Sequence, residues 1–177
     1  MNHEQLLNYL VDEMTRYAKE CNWVTNNWRC EVDYDLSFLS KVSHGGLREG
    51  SPYIMISLYP TLGERFYEYA SFANDKCIGS FCGPTSRCVA ALVAHEFAHA
   101  VCCCIKPNAK KVIAKNQTLN HEDVYGHGLL WREIYRMLRK HFVNDKVYDL
   151  DENSIIVQSQ ENVKDYIDNH RKNWYFR

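Results

Sequence analysis

The sequence lacks an excess of either charge: 21 Lys and Arg residues stand against 22 Asp and Glu residues, for a formal net charge of -1. Any attraction to nucleic acid must therefore come from a local basic patch rather than from the field of the whole protein. No stretch has the ~18 consecutive apolar residues of a membrane span, and the start M-N-H-E-Q-L-L-N has no secretory signal pattern. We expect a cytoplasmic or nucleoid-associated protein that is not secreted and has no membrane partner.

The sequence also lacks a Cys-x2-Cys pair, although it contains eight cysteines. Cys77, Cys82 and Cys88 flank a loop with Gly and Pro, but without a close pair their spacing is not typical of structural zinc. The triplet at 102–104 lies in a helical run, and with no signal segment it favours reduced thiols over a disulfide framework. We expect the cysteines to act mainly as small buried hydrophobic residues.

Length and composition predict one domain, because 177 residues with 46% hydrophobic content can fill a single core. Apolar residues at helical spacing predict an amphipathic helix over 4–20. Three stretches rich in aromatic and β-branched residues, 28–38, 52–59 and 65–72, predict antiparallel strands joined by turns. His44 lies in the first of these turns, in a His-Gly-Gly run, and is expected to be a solvated loop residue.

A longer helix is predicted from residue 86 to about residue 104, where Ala and Leu abound and Gly and Pro are absent. Thr85 or Ser86 is the expected N-cap. Residues 106–124 form a polar connection, after which helical periodicity resumes through Leu130, Ile134, Met137 and Leu138.

The second of these helices contains the run V-A-H-E-F-A-H-A at 93–100. Positions four apart share one helix face, so His95 and His99 can direct two imidazoles at one metal ion. Glu96 is rotated by about 100° from His95, where its carboxylate can reach a water without ligating the metal. Such a carboxylate can take a proton from the attacking water and return it to the leaving amine. The pattern predicts a zinc-dependent peptide-bond hydrolase.

A catalytic zinc needs a third protein ligand, and several residues downstream could supply it. His127, in the run Y-G-H-G-L-L-W, is the leading candidate because the glycines beside it allow close backbone approach. His121, Glu122 and Glu133 are the alternatives. The metzincin pattern is absent, since Cys102 stands where that pattern has glycine.

Two supporting roles are assigned on nearness in sequence alone. Ligand histidines usually hydrogen-bond through their second ring nitrogen, and Glu122 or Asp123 is the expected partner. Tyr125 or His121 is the candidate for stabilising the oxyanion.

Taken together, H-E-F-A-H-A (95–100), G-H-G-x-x-W (126–131) and a helix ending M-L-R-K resemble the SprT-like (Spartan-type) zinc metalloproteases. The resemblance covers roughly residues 5–142, and only the two histidine motifs are specific. It implies an α+β zincin-like domain over 1–143, with an N-terminal helix, a small mainly antiparallel sheet, and the H-E-x-x-H helix followed by a helix carrying the third ligand. It further implies that His95, His99 and His127 bind Zn²⁺ and that Glu96 is the general base. Several members of the family cleave proteins crosslinked to DNA, with activity switched on by DNA.

The C-terminal extension, 144–177, departs from the family pattern. No cysteine follows Cys104 in this sequence, so we expect no zinc ribbon of the kind found in many bacterial members. The extension has a short strand candidate, S-I-I-V, and a segment that mixes basic and aromatic residues, as single-strand binders do. The candidate contacts to single-stranded DNA in this segment are Lys164, Arg171, Lys172, Trp174 and Arg177.

Two other classes of function remain open alongside a protease acting on protein substrates. One is a zinc-stabilised protein-binding module that cleaves nothing, and the other is a nucleic-acid-binding accessory protein with purely structural zinc. Glu96 argues against both, because a closed structural site has no use for a carboxylate beside its metal.

Overall fold

The computed structural model describes residues 1–35, 43–57 and 65–151, and it confirms the α+β class. In chain order the elements are α1 (His3–Glu20), β1 (Glu31–Asp35), β2 (His44–Arg48), β3 (Ser51–Ser57), β4 (Arg65–Phe66), β5 (Phe81–Cys82), α2 (Thr85–Cys104), α3 (Pro107–Ile113), α4 (His121–Tyr125) and α5 (Leu129–Phe142). The strand candidate S-I-I-V and the basic, aromatic tail lie outside the described residues.

Helix α1 confirms the amphipathic helix predicted for 4–20. It begins with a capping box, in which the Asn2 side chain accepts from the Gln5 backbone N–H and the Gln5 side chain accepts from that of Asn2. Its apolar face is buried through Leu6, Leu10 and Met14. The helix therefore contributes packing to the core and no residue to the metal site.

The main sheet has strand order β1-β3-β2 and is mixed rather than antiparallel throughout. β1 pairs parallel with β3, whereas β2 and β3 form an antiparallel hairpin. The hairpin turn is Glu49-Gly50, with φ values of 53° and 81°, and positive φ at both turn residues suits the right-handed twist of the strands. The prediction that residues 28–38 and 52–59 pair antiparallel was wrong, because β2 lies between them in the chain and runs opposite to β3, so that β3 has the same direction as β1.

The prediction that His44 lies in a turn was also wrong, since His44, Gly45 and Gly46 are part of strand β2. This strand lies directly against α2. A Cβ at Gly45 would come within 2.0 Å of the backbone oxygen of Glu96. Only glycine allows that approach, so a run that is typical of a turn marks here a close contact between a strand and a helix. The third predicted strand, 65–72, is reduced to the two residues of β4.

Helix α2 forms the centre of the protein, with α1, the main sheet and α5 packed around it. It begins after Pro84 with no side-chain cap, so the expected capping by Thr85 or Ser86 was wrong. Among the described residues α2 alone is long and apolar enough to cross a membrane, but 78% of that segment is buried within the protein. Burial of this kind is typical of a core helix.

The region after α2 is more ordered than the predicted polar connection, because it contains the short helices α3 and α4. Beyond α5, the described start of the C-terminal extension folds back on the protein. The Tyr148 hydroxyl donates to the Phe142 carbonyl at 2.6 Å, and the Met1 amino group donates to the Asp149 carbonyl at 2.8 Å.

Candidate metal centre

Three histidines converge where α2 meets the start of α5. His127 Nε2 lies 3.1 Å from His95 Nε2 and 3.2 Å from His99 Nε2. The ligand nitrogens of tetrahedral zinc, each ~2.0–2.1 Å from the metal, lie about 3.3 Å apart. The three side chains therefore have a spacing that suits one metal ion, and they could hold one.

Hydrogen bonding alone does not account for this convergence. His127 Nε2 faces two other ring nitrogens and has at most one proton to share with them. Burial, followed by the repulsion of His95 and His127, lowers the pKa of His99 to about 2. Burial and the repulsion of His95 lower that of His127 to about 4. Both rings are thus neutral at neutral pH, which is the state that binds a metal ion.

His127 reaches the site from the corner between α4 and α5, rather than from the first turn of a helix. A Cβ at Gly128 would lie 2.3 Å from the Cα of Asp123, so this glycine lets the chain turn closely against α4. Asp123 holds the corner from both sides: it completes the capping box of α4 with Asn120, and its carboxylate accepts from the Leu129 N–H at 3.2 Å. The glycine was correctly singled out in the sequence, but it serves the corner and not the approach to the metal.

The alternative third ligands do not join this group. Glu133 accepts a hydrogen bond from Arg136 at 2.6 Å, while His121 and Glu122 lie on the exposed surface of α4. Nor do Cys77, Cys82 and Cys88 form a metal-binding group in the part of the chain that the structure describes. The histidine group is the single candidate metal site among the described residues.

Glu96 is buried beside this group and is held by strand β2. Burial raises the pKa of the Glu96 carboxyl, although electrostatic interactions with His95 and His44 and a hydrogen bond from the Gly45 N–H oppose this rise. A carboxylate with a raised pKa is a better proton acceptor than one in water. His44, expected as a solvated loop residue, is exposed as predicted but lies in the strand that contacts Glu96.

The partner of His95 is Glu68, which sequence analysis missed. Glu68 Oε2 lies 3.3 Å from His95 Nδ1, and the Tyr135 hydroxyl donates to the same oxygen at 2.9 Å. Burial alone would raise the pKa of Glu68, but the hydrogen bond and electrostatic interaction with His95, together with the hydrogen bonds from the Tyr69 N–H and the Tyr135 hydroxyl, hold it below its ordinary value. Glu68 thus has, for His95, the role that was predicted for Glu122 or Asp123, whereas the Asp123 carboxylate accepts from the N–H groups of Asn120 and Leu129.

Aromatic rings line the site on the side of α5. The Trp131 ring stacks on His99 at 5.3 Å between centroids, and its indole N–H donates to the His95 carbonyl at 3.2 Å. The Tyr69 ring lies 4.5 Å from that of His127. These contacts restrict the rotation of the imidazoles, so the rings are held in place by packing as well as by Glu68.

No family model, curated protein or solved structure matches this chain.

Proposed function

We propose that this chain is a zinc-dependent endopeptidase of the SprT-like type. The observation that carries the proposal is the convergence of His95, His99 and His127 next to Glu96, whose buried carboxylate lies on the helix that contains His95 and His99. Among the described residues no fourth His, Cys, Asp or Glu joins the group. Three protein ligands with an open fourth position are typical of catalytic zinc, whereas structural zinc is usually closed by four.

In the proposed reaction, the metal ion, Glu96 and Gly45 have different roles. Bound zinc supplies a Lewis acid that polarises the scissile carbonyl and lowers the pKa of water toward ~7. Glu96 accepts the proton of the attacking water on its carboxylate and transfers it to the leaving amine. The Gly45 N–H holds that carboxylate in place, so strand β2 helps to orient the general base.

The position of strand β2 also supports the proposal that the substrate is a protein. It is at one edge of the main sheet among the described strands, and it passes over α2 at Glu96. An extended peptide that pairs with this edge as an added strand runs past the metal site. The SprT-like resemblance extends the proposal to DNA-associated proteins, with DNA contacts in the tail that lies outside the described residues.

The test of the proposal is the Glu96→Gln variant, assayed for cleavage of an unfolded protein substrate with and without single-stranded DNA. We expect kcat/KM to fall at least ~100-fold, because general-base catalysis is worth about that much. Bound zinc, measured by elemental analysis, stays at the wild-type level because all three ligands remain. Glu13→Gln, which removes a carboxylate of α1 paired with Arg16, is the matched control and keeps wild-type activity.

Cleavage by Glu96→Gln at the wild-type rate contradicts the proposed role of Glu96. A wild-type protein that binds zinc stoichiometrically but cleaves nothing under either condition favours the zinc-stabilised binding module instead.

A further inference from the structure

A chain of buried polar groups leads from the metal site through α5 to the turn before β5. Its links are His95 Nδ1 to Glu68 Oε2 at 3.3 Å, the Tyr135 hydroxyl to the same oxygen at 2.9 Å, and Arg139 Nη1 to the Tyr135 oxygen at 3.0 Å. Each of the four side chains is at most 6% exposed. Such groups are stable in a protein interior only where they satisfy one another.

The far end of this chain is anchored to backbone. Arg139 donates to the carbonyls of Ile78 and Gly79, both at 3.2 Å, and its guanidinium lies over the ring of Phe81 at 4.9 Å. The same turn reaches back to Glu68, whose backbone N–H donates to the Ser80 hydroxyl at 2.9 Å. Glu68 is thus held both through its carboxylate and through its backbone N–H.

The orientation of His95 follows from this arrangement. Its Nδ1 faces Glu68, whose charged carboxylate can only accept a hydrogen bond, so Nδ1 carries the proton. Its Nε2 faces His127, and in the neutral imidazole, which is the form that binds a metal ion, this nitrogen carries the lone pair. Among the described residues, neither His99 nor His127 forms a hydrogen bond with a carboxylate, so His95 is the histidine of the group that is fixed by charge.

We propose that Glu68, Tyr135 and Arg139 are positioning residues of the metal site. Glu68 accepts from His95 Nδ1–H and so selects Nε2 as the metal-binding nitrogen, while Tyr135 and Arg139 keep the Glu68 carboxylate in the position where it can do so. The inference deepens the proposed function, since it rests on the same histidine group. It concerns metal affinity, and it makes no use of peptide cleavage.

The test measures the dissociation constant for Zn²⁺ by chelator competition in the full-length chain. We expect Glu68→Gln, which keeps the size of the side chain but removes its charge, to weaken zinc binding 10- to 100-fold. Tyr135→Phe should weaken it by a smaller factor, because Glu68 keeps its bonds to His95 and to the Tyr69 N–H. If Tyr135 acts through Glu68, adding Tyr135→Phe to Glu68→Gln causes no further loss.

The matched control is Tyr148→Phe. It also removes a tyrosine hydroxyl with a short hydrogen bond, here to the Phe142 carbonyl, but it is not connected to Glu68. Its zinc affinity should equal that of the wild type. A loss of affinity in this control equal to that of Tyr135→Phe would show a general effect of stability and overturn the positioning role of Tyr135.

A spectroscopic readout separates positioning from a merely structural role. In ¹⁵N-labelled, zinc-loaded wild-type protein, the His95 imidazole should show a protonated Nδ1 and a metal-bound Nε2. Metal binding through His95 Nδ1, or a zinc affinity of Glu68→Gln within twofold of wild type, overturns the proposal. If Glu68→Gln does not fold, the wild-type spectrum and the affinity of Tyr135→Phe decide the question. Zinc binding that behaves as expected without any cleavage contradicts the protease and leaves this inference standing.

Discussion

At the scale of single residues, the metal site combines neighbours on one helix with a ligand from a distant corner. His95 and His99 share a face of α2 by helical spacing alone, and each is restrained by Trp131. His127 depends on the turn between α4 and α5, where Gly128 packs against the backbone of Asp123. The third ligand is therefore the one most sensitive to the surrounding fold.

This dependence leads to a prediction for two histidine variants. His127→Ala should lose zinc affinity by a large factor, because it leaves two protein ligands, whereas His121→Ala on exposed α4 should keep wild-type affinity. Chelator competition measures both. Removal of zinc should also lower the melting temperature of the wild type but not that of His127→Ala, since binding is linked to folding. Equal affinity in the two variants would move the third ligand elsewhere.

At the scale of secondary structure, the contact between β2 and α2 joins the sheet to the candidate general base. Gly45 lies on the Glu96 backbone, and its N–H donates to the Glu96 carboxylate. Helix α5 supports the other side of the site through Trp131, Tyr135 and Arg139, spaced one turn apart along one face. Both faces of α2 are thus covered by elements that position its polar residues.

Two adjacent glycines of β2 give a matched pair of variants. Gly45→Ala places a Cβ within 2.0 Å of the Glu96 backbone oxygen, so the strand must move away from α2. We expect a loss of about 1–3 kcal/mol in the free energy of unfolding, and lower peptidase activity as Glu96 loses its N–H donor. Gly46→Ala meets nothing within 4 Å and should stay within ~0.5 kcal/mol of wild type. Denaturant unfolding measures both, and equal stabilities would contradict the close packing of β2 on α2.

At the scale of the whole molecule, the balance of charges bears on the proposed binding of DNA. The protein has a formal net charge of -1, so any binding of DNA depends on a few local side chains. The proposed contacts Lys164, Arg171, Lys172, Trp174 and Arg177 all lie outside the described residues. The histidine group lies entirely within the described residues.

We therefore predict that removal of residues 164–177 weakens binding to single-stranded DNA while zinc content and melting temperature stay at wild-type values. The full-length chain should bind weakly, with a salt dependence that corresponds to about two to four phosphate contacts. Fluorescence anisotropy with a labelled oligonucleotide over a range of salt concentrations measures this. Unchanged DNA affinity after truncation contradicts the role of the tail, and a lower melting temperature assigns it to packing instead.

The features that could be predicted from the amino-acid sequence are those that depend on short spacing along the chain. The amphipathic helix at 4–20 and the long apolar helix of the H-E-x-x-H motif follow from helical periodicity, and both are present. The same periodicity places His95 and His99 on one face with Glu96 beside them. The Gly-His-Gly run led the sequence analysis to favour His127 among four candidates, although Gly128 is required by the close turn against α4.

The features that join distant parts of the chain became visible in the folded protein. β1 and β3 pair in parallel although they are close in sequence. The glycines of β2 form a strand because packing against α2 outweighs the local preference of His-Gly-Gly for a turn. Glu68 meets His95 across 27 residues and Tyr135 across 67, and no local pattern marks it as their partner. A buried carboxylate is recognisable by the donors that surround it, and those donors come together only when the chain has folded.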